Sequence, residues 1–467
     1  MSSLDQRLLM AAQGRTRKTG QVVAALDLGA TKVACLVARQ TSPSEGEFEL
    51  LGHGQQSSRG LKGGFVIDME GLERSVRLAV EDAERMAGQQ VTGVRLAVSG
   101  PYIRTREVRT EIEMGGREIV QKDVVKLLER GLSKSQDERQ QVLHALPVSY
   151  AIDGNDGVRD PRGMFADRLG VRMNVVYMPL PVYRNLVTCV SRAHLTVESV
   201  VSGAFSSANA VLSDDERDNG AICIDLGGGS TGVTVFMNGT LAYLDAIGVG
   251  GQHVTSDLAQ GIGTTIPAAE RIKTLHGTLK MPSSSTGAEA YEGAAASDDE
   301  APPRPGTIER MEWEMQNAKE KDLIDAPKIG DDGRLQAARM SRSELVGYMQ
   351  PRVEEIFELI SENLSKSGLG GRLPRRAVLT GGGSELPGIR DMASRILSMP
   401  VRLAKPIKSE QLGENCQRPT FSASAGLLTF SASGPSSVPQ KEAKTGHSTA
   451  KPGNIFQRAI QWLKENL

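Results

Sequence analysis

The tripeptide Asp-Leu-Gly occurs twice in this chain, each time where an apolar strand ends and a glycine-containing turn begins. The first copy reads DLGATK over residues 27–32, and the second reads DLGGGST over residues 225–231. Apolar, β-branched runs flank both turns, a pattern that predicts two β-hairpins. One such turn is common in hairpins and is weak evidence alone, but a second copy about 200 residues further along the chain is rarely accidental. We therefore expect two α/β halves of similar architecture.

Both turns suit the binding of phosphate. Glycine lets the backbone approach an anion closely, and successive N–H groups form a concave anion site. We expect the two hairpins to face each other and to hold one nucleoside triphosphate between them, with added hydroxyl donors from Thr31, Ser230 and Thr231. The binding residues predicted from the two turns are Asp27, Gly29, Ala30, Thr31, Lys32, Asp225, Gly227, Gly228, Gly229, Ser230 and Thr231.

The two aspartates end the first strand of each hairpin, so their carboxylates are expected to face each other across a cleft. Carboxylates in such a place suit a hydrated Mg2+ ion that bridges phosphate oxygens. The sequence therefore predicts that Asp27 and Asp225 hold Mg2+ through water.

A third glycine turn, Thr380–Ser384, follows the apolar strand Ala377–Leu379 and precedes a helix. Its backbone is expected to pack against the adenine or the ribose, and the alternative is a plain helix N-terminus. The glycines concerned are Gly381, Gly382 and Gly383. Glu270 and Lys273 share one face of another helix and are expected to reach the ribose, whereas a surface ion pair is the alternative.

The composition excludes several other classes of protein. With 467 residues, the chain is longer than one core usually holds, so several domains are expected. A net charge of -1 offers no basic surface, and we expect no binding to nucleic acid. The cysteines lack metal-ligand spacing and are predicted to be reduced core thiols: Cys35, Cys189, Cys223 and Cys416. No apolar run approaches the length of a membrane span, and the start has no apolar leader segment, so a cytoplasmic protein is expected.

Three segments contain too few apolar residues to form a core. Residues 1–19 are polar and basic, residues 281–306 are rich in Ser, Ala, Gly, Pro and acidic residues, and residues 431–453 are polar. Such compositions cannot bury enough apolar surface to offset the entropy lost on ordering. We predict disorder in the first two segments and a flexible linker in the third.

The order of the two hairpins and of AVLTGGG resembles the superfamily of actin, the sugar kinases and the heat-shock chaperone ATPases. Within it, the chain resembles the FtsA family of bacterial cell division proteins from about residue 20 to the end. Four features carry this resemblance: DLGATKVACLVA, the inserted segment 102–177, AERIKTLHG after the second hairpin, and an amphipathic C-terminal helix. It implies a two-lobed, actin-like α/β ATPase fold that binds ATP with Mg2+.

The resemblance also implies a set of subdomains. In the first lobe these would be a nucleotide-binding subdomain of residues 20–101 and 178–212, with 411–430 returning to it, and a displaced small α+β interaction subdomain of residues 102–177. In the second lobe they would be a nucleotide-binding subdomain of residues 213–250 and 335–410, and a small subdomain of residues 251–334.

The final segment, residues 454–467, has the period of an amphipathic helix. Because a polar linker separates it from any core, the expected destination of its apolar face is a membrane interface, and Trp462 suits the headgroup boundary. Docking onto the body of the chain or onto a partner groove is the alternative. The predicted membrane-binding residues are Ile455, Phe456, Ala459, Ile460, Trp462, Leu463 and Leu467.

These features favour a peripheral protein on the cytoplasmic side of the inner membrane at the division septum. The resemblance implies that it anchors FtsZ polymers, polymerises with itself and recruits later division proteins. The alternatives are a sugar or acid kinase of the same fold and a pilus-assembly ATP-binding relative. A kinase needs a base in the cleft, yet the segment SGAFSSANAV offers Ser202, Ser206, Ser207 and Asn209 and no carboxylate. No catalytic residue is assigned, and ATP is expected to act chiefly as a conformational ligand.

Deletion of residues 454–467 is expected to reduce binding to lipid vesicles to background while leaving nucleotide affinity unchanged. The segment supplies the apolar face for the membrane, and it lies beyond the linker from the nucleotide-binding residues. Vesicle co-sedimentation of the full-length and truncated proteins, with nucleotide titration of both, measures the two effects. Equal sedimentation of the two proteins would refute the assignment of this helix.

Overall fold

The computed structural model describes residues 20–41, 47–280, 322–330, 332–407 and 409–429. These residues divide into two compact units. Unit 1 is drawn from Met1–Gly251, Glu358–Glu385 and Ser394–Leu467, and unit 2 from Gln252–Phe357 and Leu386–Ala393. Four predicted segments lie outside the described residues: the tail 1–19, the insertion 281–306, the linker 431–453 and the terminal helix 454–467.

Strands and helices alternate through both units. The strands are β1 (Val22–Leu28), β2 (Lys32–Gln40), β3 (Phe48–Ser57), β4 (Leu61–Lys62), β5 (Phe65–Val66), β6 (Gly93–Val98), β7 (Arg104–Glu118), β8 (Gln140–Ile152), β9 (Asn155–Val158), β10 (Phe165–Pro179), β11 (Thr196–Ser202), β12 (Ala221–Leu226), β13 (Thr231–Met237), β14 (Thr240–Ile247), β15 (Leu323–Asp325), β16 (Lys328–Ile329), β17 (Leu335–Gln336), β18 (Arg339–Ser341), β19 (Ala377–Thr380) and β20 (Val401–Leu403). The helices are α1 (Met69–Ala87), α2 (Gln121–Lys134), α3 (Leu180–Arg192), α4 (Gly203–Val211), α5 (Asp214–Asn219), α6 (Gly251–Ile262), α7 (Ile266–His276), α8 (Arg342–Lys366), α9 (Ile389–Leu397) and α10 (Ser422–Thr429).

The first hairpin forms the centre of a five-stranded sheet in unit 1, with strand order β11-β6-β1-β2-β3. Strands β1 and β2 are antiparallel, whereas β6 runs parallel to β1 and to β11. Helix α1 covers this sheet because its apolar residues recur on one face, and Asp68 caps its N-terminus by accepting from two backbone N–H groups. A Cβ at Gly54 of β3 would overlap the Ala79 carbonyl, so α1 packs directly on the strand backbone.

The second hairpin forms the centre of another five-stranded sheet in unit 1, with strand order β14-β13-β12-β19-β20. Strands β12 and β13 are antiparallel, and β19 lies parallel to β12 with Thr380 opposite Asp225. The glycine turn after β19 therefore lies at the same end of the sheet as Asp225, because the carboxyl ends of parallel strands share one edge.

The segment between β6 and β11 contains a four-stranded antiparallel sheet, β7-β10-β8-β9, with α2 against it. This sheet has its own apolar core, which includes Val108, Leu128, Leu169 and Met173. It contacts β14 through Asn174, whose side-chain amide donates to the carbonyls of Leu241 and Ala242, at 2.8 Å each. We call this sheet and α2 the insertion subdomain.

Helices α4 and α10 cross closely in unit 1, where small residues let the two backbones meet. The Ser206 hydroxyl donates to the Ala423 carbonyl at 2.7 Å, and a Cβ at Gly426 would overlap the Ser206 carbonyl oxygen. Helix α10 also contacts β1, β2 and β6, whereas α4 contacts β12 and β13. The crossing therefore joins the two sheets. All four cysteines are buried and free, as their spacing predicts.

Unit 2 consists mainly of α6, α7, most of α8 and the short strands β15 to β18. Helices α6 and α8 are joined by an ion pair between Asp257 and Arg352, with 2.6 Å between Oδ2 and Nε, and Pro351 lies inside α8. In the part of the chain that the structure describes, no helix combines the length and apolarity that crossing a bilayer demands.

The crossing of α4 and α10 predicts that Gly426→Ala lowers the free energy of unfolding by about 1–3 kcal/mol, as expected when a methyl group is forced into a packed contact. Gly347→Ala is the control, because Gly347 is an exposed residue inside α8 with open space around its Cβ position. That variant should gain up to about 1 kcal/mol from helix propensity. Urea unfolding measures both, and a neutral Gly426→Ala would contradict the tight crossing.

Candidate functional site

The turns of both hairpins line one cavity in unit 1, with a volume of about 100 Å³. The first turn contributes Asp27, Gly29, Ala30, Thr31 and Lys32. The second contributes Asp225, Gly227, Gly228, Gly229 and Ser230, and the turn after β19 adds Gly381 and Gly382.

The two turns have the same local geometry. The Gly29 N–H donates to the Lys32 carbonyl at 3.0 Å, and the Gly227 N–H donates to the Ser230 carbonyl at 3.1 Å. A Cβ at either glycine would lie 2.8 Å from that carbonyl oxygen, closer than such atoms approach in proteins. Both positions therefore require glycine, which explains why the Asp-Leu-Gly pattern repeats.

The tips of the two turns lie against each other. A Cβ at Gly229 would lie 2.6 Å from the Ala30 Cβ, and one at Gly228 would overlap the Thr31 side chain. The cavity beneath them is smaller than the roughly 300–1,000 Å³ of typical small-molecule sites.

Asp27 and Asp225 are both placed where ionisation is costly. Burial raises the pKa of Asp27 from 3.8 to about 6, while the Lys32 ammonium lowers it and the Asp225 carboxylate raises it further. Burial also raises the pKa of Asp225, against the hydrogen bond from the Ser207 hydroxyl at 2.7 Å and the charge of Lys32. Because the charge of Asp225 disfavours the ionised form of Asp27, a cation bound beside them would stabilise both carboxylates in their ionised forms.

These residues fit Mg2+ held through water better than Mg2+ held by direct protein ligands. Within the described residues no group of three or more His, Cys, Asp or Glu side chains is arranged to hold a metal ion. Magnesium keeps several of its waters and commonly uses one or two carboxylates together with phosphate oxygens. Asp27 and Asp225 would supply the carboxylates, and the ion would neutralise phosphate charge.

Lys32 joins the first turn to the residues that precede α10. Its ammonium donates to the Thr420 carbonyl and lies 3.9 Å from the centroid of the Phe421 ring. Burial lowers the pKa of Lys32, whereas the carboxylates of Asp27 and Asp225 raise it. The cation therefore compensates part of the buried negative charge, and it lies where phosphate oxygens would compete for it.

The turn after β19 approaches the second hairpin through glycine. Gly381 has a φ of +83°, which favours glycine, and a Cβ there would overlap the Asp225 carboxylate. Gly383 lies away from the cavity lining, where a Cβ would lie 2.5 Å from a Leu226 methyl group. The Thr380 hydroxyl bonds to the Ala404 carbonyl and the Ser422 hydroxyl, at 3.0 and 2.7 Å.

Three other predicted residues bond to protein groups in this structure, and for Glu270 and Lys273 these bonds include the ion pair that is the alternative to a contact with ribose. The Thr231 hydroxyl donates to the Val249 carbonyl at 2.8 Å, and Thr231 does not line the cavity. Glu270 and Lys273 belong to unit 2, where they form an ion pair of 2.8 Å and both bond to the Thr255 hydroxyl. Their contact with ribose stays a prediction.

Sequence reasoning missed several lining residues. Ser99, Gly100 and Ile103 follow β6, and Pro419 and Thr420 precede α10. None of them belongs to a glycine turn, and only their place at strand or helix ends could have indicated them. Gly64 also lines the cavity, and its carbonyl accepts from the Tyr102 hydroxyl at 2.9 Å.

The raised pKa of Asp27 predicts a pH-dependent stability in the absence of nucleotide. Below pH 3.8 the residue is protonated in both states, so its ionisation costs nothing. As the pH rises towards 6, Asp27 ionises first in the unfolded chain. The free energy of unfolding therefore falls by up to about 3 kcal/mol. Asp27→Asn should remove this loss and raise the melting temperature at pH 7.

Thermal unfolding between pH 4 and pH 8 measures the effect, and the exposed Asp215→Asn serves as the control for loss of one carboxylate. The difference in stability between Asp27→Asn and the parent should grow between pH 4 and about pH 6 and then level off. A difference that is constant with pH would show that Asp27 is not held in a costly ionised state.

Known proteins share this fold. A chain of the PilM-PilN type IV pilus biogenesis complex superimposes with a TM-score of 0.57 at 13% identity, over 88% of this chain and 98% of that chain. A family model described as the SHS2 domain inserted in FTSA matches residues 100–177, the region of the insertion subdomain. The predicted fold is confirmed: it is the two-lobed α/β fold of actin-like ATPases, with a small α+β subdomain inserted in the first lobe.

Sequence comparison identifies the family. A model described as cell division protein FtsA matches residues 222–426. Cell division protein FtsA of Agrobacterium fabrum is 35% identical over 457 residues, and that of Rhizobium meliloti is 36% identical over 458 residues. Each alignment covers 96% of this chain and 96% of the relative. The chain therefore belongs to the FtsA family of cell division proteins.

Proposed function

We propose that this protein binds ATP with Mg2+ in the cavity between the two hairpins. The observation that carries the proposal is the juxtaposition of two glycine turns of equal geometry with the buried carboxylate of Asp27, the partly buried carboxylate of Asp225 and the partly buried ammonium of Lys32. Backbone N–H groups of glycine turns suit phosphate oxygens, and the paired aspartates suit a hydrated divalent cation. The third turn, at Gly381 and Gly382, would approach the nucleoside.

Bound ATP would act mainly on conformation. Among the described residues, the carboxylates that line the cavity are Asp27 and Asp225, which the cation would occupy. Helix α4 presents Ser207 to Asp225 and offers no carboxylate of its own as a base. The hairpin tips lie against each other, so ATP bound between them would separate the tips and move the two sheets relative to each other.

We further propose that the protein tethers FtsZ polymers to the cytoplasmic face of the membrane at the division site. Family membership supports a role in cell division, and the apolar face of residues 454–467 supports attachment to lipid. One short helix binds lipid reversibly, but several helices on one polymer would bind firmly because attachment of the first raises the effective concentration of the others. Polymerisation would therefore strengthen the tether, which would then recruit later division proteins.

Asp225→Asn is expected to weaken Mg-ATP binding by roughly tenfold or more, since a hydrogen bond to a charged group contributes about 1.5–3 kcal/mol. Self-assembly in the presence of ATP should weaken in parallel, because assembly depends on the nucleotide-bound conformation. Asp215→Asn, an exposed aspartate on α5, is the matched control and should behave like the parent. Calorimetry and pelleting measure the two effects. Normal filaments from a variant that no longer binds ATP would break the proposed link.

The tether itself is tested by mixing FtsZ polymer, lipid vesicles and this protein, with and without ATP. Recruitment of FtsZ to the vesicles only when the protein is present, and more strongly with ATP, is the expected result. If FtsZ stays in solution while the protein sediments with vesicles, the protein binds membrane without tethering FtsZ. Rapid consumption of ATP on addition of a sugar or an acid would instead favour a kinase.

A further inference from the structure

Asp245 is a buried aspartate that joins several elements of unit 1, and none of the proposed nucleotide contacts involves it. It lies on β14 between Leu244 and Ala246, both of which line the cavity. One carboxylate oxygen, Oδ1, accepts from the Ala246 N–H at 2.8 Å and lies 2.7 Å from the Arg104 guanidinium. The other, Oδ2, accepts from the Tyr243 hydroxyl at 2.9 Å and from the Asn363 amide at 3.0 Å.

The partners of Asp245 belong to different parts of the fold. Arg104 is the first residue of β7, which opens the insertion subdomain, and Asn363 lies near the end of α8. Arg104 also donates to the Ala246 carbonyl at 3.2 Å. The next residue, Thr105, exchanges two hydrogen bonds with the Leu244 backbone, at 2.7 and 3.1 Å. We call the contacts of Arg104 and Thr105 with residues 244–246 the β7–β14 clasp.

The clasp lies directly beside the cavity. Ile103, the residue before β7, lines the cavity together with Leu244 and Ala246. If the hairpin tips separate and β14 moves, the hydrogen bonds and the ion pair of the clasp would transmit that movement to β7. Such contacts hold a defined geometry, because hydrogen bonds weaken steeply when their distance or angle changes. The Asp245 carboxylate is buried and bonded to four groups that hold it in place, although the Arg104 side chain is 46% exposed.

We infer that the β7–β14 clasp, centred on Asp245, transmits the nucleotide state of the cavity to the insertion subdomain. This inference rests on the proposed binding of nucleotide and assigns Asp245, Arg104 and Thr105 as positioning residues. Through them the surface of the insertion subdomain that meets other molecules responds to nucleotide, although it has no contact with the nucleotide itself.

The test uses the full-length chain and the double variant Arg104→Gln/Thr105→Val. Arg104 is exposed and Thr105 is only partly buried, so the fold is expected to survive, and a thermal melt checks this. Arg109→Gln/Thr110→Val is the matched control, because it makes the same two changes further along β7, where Arg109 pairs with Glu107. Arg104→Lys keeps the positive charge beside Asp245 and should restore part of the coupling.

Two quantities are measured for each protein: affinity for a non-hydrolysable ATP analogue with Mg2+, and hydrogen exchange of β7 and β10 amides with and without the analogue. In the parent and in the control, the rate of hydrogen exchange in these strands should change when the analogue binds. In Arg104→Gln/Thr105→Val the affinity should stay within about threefold of the parent. The nucleotide-dependent change in exchange should fall to less than half.

The inference is overturned if the double variant keeps the full nucleotide-dependent change, or if the parent binds the analogue and shows no change in β7 and β10. The proposed nucleotide binding survives both of those results. If the parent does not bind the analogue at all, the proposed function fails, and the inference fails with it. A change that is lost equally in the control would show a general weakening of β7 rather than transmission through the clasp.

Discussion

The structure depends on one electrostatic constraint, the withdrawal of two carboxylates and one ammonium from most of the solvent at the meeting point of two sheets, where Asp27 is buried and Asp225 and Lys32 are partly buried. Asp27 and Asp225 raise the free energy of the folded state because burial removes water from their charges, and Lys32 compensates this only in part. Around these groups the chain has placed glycine wherever a side chain would fill the space between the turns. This region therefore contributes less to the free energy of unfolding than an apolar core would, as is common at functional sites.

The helices next to the charged groups meet through small residues. Helices α4 and α10 contact each other at Ser206, Ala423 and Gly426, which are small enough for the two backbones to touch. Ser207 on α4 donates to Asp225, so the helix crossing also orients one of the two carboxylates. The packing of the sheets and the charge state of the cavity are therefore set by the same few residues.

The sequence predicted the parts of the site that follow from local rules. The repeated Asp-Leu-Gly turns had to be glycine hairpins, since each needs a glycine N–H close to the carbonyl of the residue three positions further along. Their pairing indicated one shared site. Contacts between residues far apart in the chain had no such signal. Lys32 reaches Thr420, and Thr231 turns to Val249, because tertiary packing decides which partner lies nearest. The bonding of Asp245 was equally invisible, since its partners come from β7, β14 and α8.

The contact of Lys32 with Thr420 spans 388 positions of the chain. While the protein is being synthesised, the first hairpin emerges early, but the residues that hold its lysine and the helix that covers its strands are made almost last. Domains generally fold in the order in which the ribosome releases them, yet this cavity cannot be completed until α10 has left the ribosome. A chain that ends before α10 therefore lacks a complete cavity, because residues next to this helix and within it line the cavity and bond to Lys32.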